Sequence, residues 1–208
     1  MTVIPKVEIL TASEYNLHGV DSMSLVIMMK CTDGIVCCTD SRMSIRNGEL
    51  PPIDTVRKIF ASDKLIVAPF GNYTIWDSQT QSFTLPSVIK NIIENVNTVD
   101  ELCKRLQQSD LESAAEYTMF VGWKDSSGYQ TATVVIRKDK YEILLSEYNP
   151  LFSEPRGVAY KNLITEQEFS SDRSAKVLGK IVENLINIQN EFQLNPSVGG
   201  KVQTLIWS

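Results

Sequence analysis

Three stretches of the chain are apolar without a break: LVIMM (25–29), IVCC (35–38) and LIVA (65–68). A strand with one wet face alternates polar and apolar residues, so unbroken runs predict strands buried on both faces. Such strands need cover on each side. Thr32-Asp33-Gly34 separates the first two runs and reads as a hairpin turn, which predicts an antiparallel pair over 24–31 and 34–40. The segment MSIRNGELPPIDT (43–55) is rich in turn formers and reads as a loop. A strand is predicted to resume at TVRKIF (55–60).

The middle of the chain changes period. Residues 87–96 and 99–107 carry apolar positions at helical spacing, with Pro86 at a helix start. Strands return at 117–123, 130–136 and 141–147, separated by turns at 125–128 and 138–140. The clearest helix is 173–192, where Val177, Ile181, Leu185, Ile188 and Phe192 form one apolar stripe. Asn195-Pro196 ends that helix, and VQTLIW (202–207) reads as the closing strand. Strands, helices, strands, helix and strand in this order suit two sheets whose buried faces meet, with helices covering the outer faces.

Composition narrows the function. The chain has 208 residues, 43% hydrophobic and 22% charged, with neither repeat nor linker, so one domain is expected. A formal charge of −5 and a pI near 5.0 speak against a nucleic-acid or anionic-membrane surface. No apolar run reaches the roughly 18 residues of a membrane span. Pro5, Lys6, Glu8 and Glu14 interrupt any signal-peptide core, so a cytoplasmic protein is expected.

The four cysteines, Cys31, Cys37, Cys38 and Cys103, form no CxxC pair and read as small core hydrophobes. With His18 the only histidine, neither a metal site nor an imidazole base is expected. Glycine-rich phosphate loops are absent, and no cofactor is expected. A nucleophile in this chain therefore needs a lysine or an α-amine as its base.

The segment SLVIMMKCTDGIVCCTDSR (24–42), followed by TVRKIF (55–60) and DKLIVAPFGN (63–72), resembles the proteasome β-type family of N-terminal-nucleophile (Ntn) hydrolases. The closing VGGKVQTLIW (198–207) is also similar to that family. The resemblance implies an α+β fold, a four-layer αββα sandwich of two stacked antiparallel sheets. Residues 24–208 would form that single domain, and residues 1–23 an N-terminal extension or pro-segment. Anchored on Gly34 and the Asp40-Ser41-Arg42 triplet, Ser24 falls where the family has its N-terminal threonine. Lys58 matches the catalytic lysine, and Gly71 the glycine whose N–H helps to form the oxyanion hole. A peptide or protein substrate and a homo- or hetero-oligomeric ring are implied as partners.

The chemistry is coherent on its own terms. A hydroxyl on an N-terminal residue has its α-amine beside it as base. Lys58 would favour the deprotonated hydroxyl, and Asp40 would keep that lysine charged and in place. An N–H at Gly71 would stabilise the tetrahedral oxyanion. Arg42 reads as a structural partner of nearby carboxylates.

The chain also departs from the family pattern. Met23-Ser24 stands where the family has Gly-Thr, and Asn195 stands where it has an aspartate. Ser197 and Ser153 occupy the places of its two supporting serines. Thr2, exposed if Met1 were removed, is a competing nucleophile, but Pro5 breaks the strand pattern that should follow it. Two functions stay open: a peptidase that uses Ser24 after loss of residues 1–23, and a non-catalytic scaffold or assembly subunit that keeps them.

Overall fold

The computed structural model describes residues 24–45, 50–71, 76–77, 82–109, 116–137, 139–145, 150–153, 169–192 and 198–208. It is a mixed α+β structure with two main antiparallel sheets. The first sheet has the order β12-β1-β2-β13, built from Leu151–Phe152, Val26–Lys30, Ile35–Thr39 and Gln203–Trp207. The second has the order β11-β10-β9-β6-β5, built from Tyr141–Leu145, Gly128–Ile136, Tyr117–Asp125, Leu65–Phe70 and Phe60–Ala61. Two small ribbons pair β3 (Met43–Ile45) with β4 (Leu50–Ile53), and β7 (Trp76–Asp77) with β8 (Ser82–Phe83).

The unbroken apolar runs have the expected consequence. All residues of β2 and β6 are buried, and only Lys30 of β1 is exposed. One face of each sheet meets the other: Val26, Met28, Ile35 and Cys37 share a cluster with Ile66, Ala68 and Phe120. The approach is close at Gly122, where a Cβ would lie 2.6 Å from Ile35 Cδ1.

The opposite face of the second sheet packs Leu65, Val67, Met119 and Val134 against α1 (Thr84–Ile92) and α2 (Val99–Gln108). The opposite face of the first sheet packs Leu25, Ile27, Val36 and Cys38 against α3 (Ser171–Phe192). Full burial of such side chains stabilises by about 1.5–3 kcal/mol each. Alternation is absent from these strands because each one serves two clusters.

Local signals fix the ends. The hairpin pairs Val26 with Thr39 and Lys30 with Ile35, and its turn is closed by Cys31 N–H donating to Gly34 O at 2.8 Å. Asp33 in that turn accepts from Ser171 N–H at 2.7 Å and from Ser171 Oγ at 3.1 Å. It thereby satisfies donors at the start of α3 that have no partner within the helix. Thr98 caps α2 by accepting from Glu101 N–H at 3.2 Å, and Glu101 reaches back to Asn97 N–H at 3.0 Å. All four cysteines are buried and free, as expected of core hydrophobes. Burial pushes the Cys38 thiol up to about 11 and the Cys103 thiol up to about 12.

Several expectations are corrected. The strand expected at 55–60 is reduced to Phe60–Ala61, and the residues before it are held by the Gln203 side chain and by the Val56 N–H bond to Ser41 O instead. Within 43–55, read as a loop, lies the β3–β4 ribbon. The first helix begins at Thr84, two turns being α-helical before a 3-10 turn over Ile93–Asn95.

The apolar stripe of α3 is also not one buried face. Leu178, Ile181, Val182, Leu185, Ile186 and Gln189 point inward, whereas Val177, Ile188 and Phe192 are exposed. The inner face continues through Leu178 and Val182, which the 177–192 stripe leaves out. Among the described residues, no helix is long and apolar enough to cross a membrane.

Candidate active site

The first sheet brings four polar residues to one end. Ser24 precedes β1, Asp40 follows β2, Ser153 follows β12, and Gln203 opens β13. Antiparallel register places them together: Val26 pairs with Thr39, Thr39 with Gln203, and Ile27 with Phe152. Lys58 and Gly71 arrive from the second sheet, at the start of β5 and the end of β6, where Phe60 pairs with Val67.

Lys58 joins the two sheets. Its Nζ donates to Asp40 Oδ1 at 2.8 Å and to Ser24 Oγ at 3.0 Å. All three residues are buried, with 1% of Lys58 exposed and none of Asp40 or Ser24. Long-chain lysine is almost never enclosed like this unless it is paired. Asp40 accepts three backbone N–H groups as well: Leu25 on Oδ1 at 3.0 Å, and Gly199 at 3.0 Å and Arg42 at 3.2 Å on Oδ2.

Both pKa values are set against ionisation. Burial raises Asp40 above the usual carboxylate value, while Lys58 and the N–H donors pull it back. Burial lowers Lys58 below the ordinary lysine value, and Asp40 opposes that. Desolvation outweighs attraction at each partner, so burial works against the charge on both.

Ser153 fixes the backbone at Ser24 and Val26. Its Oγ donates to Ser24 O at 2.8 Å and accepts from Val26 N–H at 2.7 Å, while its own N–H donates to Val26 O at 2.9 Å. Arg42 forms a forked ion pair with Asp54, at 2.6 Å through Nε and 3.0 Å through Nη2. It has the structural role expected of it. Gly199 lies flat on that guanidinium, since a Cβ there would come within 2.3 Å of Arg42 Cζ. Ser41 Oγ donates to Asp54 O and accepts from Lys201 N–H at 2.7 Å, tying the 198–201 segment to the 40–42 turn.

Gly71 is buried with φ of +81°, in the left-handed region that glycine adopts without steric cost. The structure thus brings Ser24, Asp40 and Lys58 into direct contact and puts Gly71 at the Lys58 end of the second sheet. Asn195, Ser197, His18 and Thr2 lie outside the described residues. Asp54, Gly199 and Gln203 are the contributors that sequence reading did not single out. The Gly199-Gly200 pair was the available sign that another chain segment passes close by.

This stacking of sheets and helices has a counterpart among solved structures. The fold is similar to that of Anbu. The comparison is with Anbu (ancestral beta-subunit) from Yersinia bercovieri, at a TM-score of 0.56 and 13% identity, over 88% of this chain and 81% of that one. No protein-family model matches the chain, and no curated protein matches it. The likeness is one of fold.

Proposed function

We propose that this chain is a proteasome β-like Ntn hydrolase, a four-layer αββα sandwich that cleaves peptide or protein amides with Ser24 as its N-terminal nucleophile. The observation that carries the reading is the buried contact of Lys58 with both Ser24 and Asp40. Removal of residues 1–23 would convert the Ser24 nitrogen from an amide into an amine able to accept a proton. That amine takes the proton of Ser24 Oγ as Oγ bonds to the substrate carbonyl carbon. The positive end of Lys58 favours the developing alkoxide, and Gly71 N–H supports the oxyanion.

Collapse of the tetrahedral species returns the proton to the leaving amine and leaves an ester on Ser24. Water then hydrolyses that ester by the reverse sequence of proton movements. Asp40 holds Lys58, and Ser153 holds the Ser24 carbonyl, so neither needs to touch substrate.

A second reading is favoured by Asn195, which cannot carry the charge of the aspartate in the family pattern. In it the chain is a non-catalytic scaffold or assembly subunit that retains residues 1–23. In both readings it acts in the cytoplasm as part of a homo- or hetero-oligomer. Turnover of short acyl-peptide amides separates the two. The first reading expects hydrolysis by the wild type and none by Ser24→Ala, whereas equal rates from both proteins would remove Ser24 from the chemistry.

A further inference from the structure

The ladder of the second sheet reaches β5 only at Phe60, so strand pairing does not explain why the backbone at Lys58 lies where it does. Lys58 must nevertheless cross from that sheet to groups on the other. Its N–H donates to Gln203 Oε1 at 3.1 Å, and Gln203 Nε2 donates to Val56 O at 2.6 Å. The side-chain amide of Gln203 thus grips two alternate residues of 56–58 with one donor and one acceptor. A neighbouring strand would offer the same two groups.

The place of Gln203 gives this grip its consequence. It is the first residue of β13, and its Cα partner on β2 is Thr39, next to Asp40. One end of Gln203 is therefore fixed in the sheet that carries Ser24 and Asp40. Its other end is fixed to the segment that delivers Lys58. Nearby bonds hold the same segment upstream: Val56 N–H donates to Ser41 O at 3.0 Å, and Ser41 Oγ donates to Asp54 O. Only the Gln203 contact acts at Lys58 itself among these three.

We propose that Gln203 is a positioning residue, a strut between the sheets that sets the reach of Lys58 to Ser24 Oγ. The catalytic part of this inference rests on the hydrolase reading above; the geometric part does not. Leucine at this position keeps the volume but neither polar group. Glutamate keeps an acceptor for Lys58 N–H, but as a carboxylate it sets a negative oxygen beside Val56 O instead of a donor.

The experiment uses the full chain as wild type, Gln203→Leu and Gln203→Glu, with two readouts. The first is kcat and KM on a short acyl-peptide amide. Displacement of a reacting group by about 1 Å can cost on the order of 100-fold, so Gln203→Leu should lose about 10- to 100-fold in kcat with KM nearly unchanged. Gln203→Glu should lie between it and the wild type.

The second readout is titration of the Lys58 amine by NMR of protein labelled at lysine Cε, assigned with Lys58→Met. Loss of the strut should admit water to the amine and move its midpoint upward, towards that of a solvated lysine. An inactive wild type would overturn the hydrolase reading and leave this titration to decide the strut. A Lys58 midpoint in both variants identical to the wild type overturns the proposal. So does wild-type kcat in both. Should Gln203→Leu fail to fold, the glutamate variant carries both readouts alone.

Discussion

Two ion pairs are drawn from the same two stretches of chain, 40–42 and 54–58, and they live in opposite environments. Lys58–Asp40 has 1% and 0% of its side chains exposed, whereas Arg42–Asp54 has 19% and 44%. In the exposed pair, the Arg42 hydrogen bonds dominate and hold the Asp54 carboxyl below its usual value. In the buried pair, desolvation dominates and pushes each partner towards its neutral form. Separation along the chain is not the reason, because Asp40 and Arg42 are two residues apart. The difference is whether water can reach the charges. A fold seeking only stability gains little from enclosing a lysine and a carboxylate, because apolar residues of similar volume often serve as well. The enclosed pair touches a serine hydroxyl, and the exposed pair holds a turn.

Removing one partner of the buried pair should break this contrast most visibly. Lys58→Ala strands the Asp40 carboxylate in the core, at a cost of about 3–5 kcal/mol in denaturant unfolding, and should abolish amide hydrolysis. The double variant Asp40→Asn/Lys58→Met removes both charges and should recover most of that stability while hydrolysis stays absent. Stability and activity parting company in this way would mark the pair as kept for chemistry. If the double variant were as unstable as the single one, the pair would be structural.

The exposed pair should respond less and with the opposite sign in pH. Arg42→Gln should cost at most about 1 kcal/mol, since water screens a half-exposed carboxylate. Asp54 has a lowered folded pKa, so its contribution is present above the unfolded carboxylate value and is lost as pH falls through the folded one. Asp40 has a raised folded pKa, so its ionised form works against folding, and acid relieves that as pH falls through the folded value. Carboxylate NMR should place Asp54 below and Asp40 above the ordinary aspartate value of about 3.9. Arg42→Gln should move Asp54 up and shift Asp40 far less. Both midpoints on the same side of that value would dissolve the comparison.

Much of the framework was legible in the chain. Unbroken apolar runs led to two-sided strands, and Thr32-Asp33-Gly34 led to the hairpin turn. The meeting of Ser24, Asp40 and Lys58 was legible only through a family resemblance, because nothing local in TVRKIF distinguishes an enclosed lysine from a surface one. What sequence reading missed depends on tertiary register. Gln203 acts on Val56 and Lys58, 147 and 145 positions away, and Asp54 finds Arg42 across the β3–β4 ribbon. The α3 stripe misled for a related reason. Val177, Ile188 and Phe192 have the right spacing, but the sheet lies under Leu178 and Val182.

That outward stripe yields the smallest expected effect on stability. Phe192 is 62% exposed, so Phe192→Ser should change unfolding by less than about 0.5 kcal/mol. If the stripe is covered by another subunit, the substitution should lower the mass seen by light scattering. A wild type that stays at 23.4 kDa across a wide concentration range would count against assembly.

If the Ser24–Lys58–Asp40 contact is a working nucleophile site, the intact mass of the expressed protein reveals it. The wild type, incubated after expression, should lose residues 1–23 and begin at Ser24, while Ser24→Ala should keep its full length. Retention of residues 1–23 by the wild type, on the same time course as Ser24→Ala, would contradict the account and leave the scaffold reading in its place.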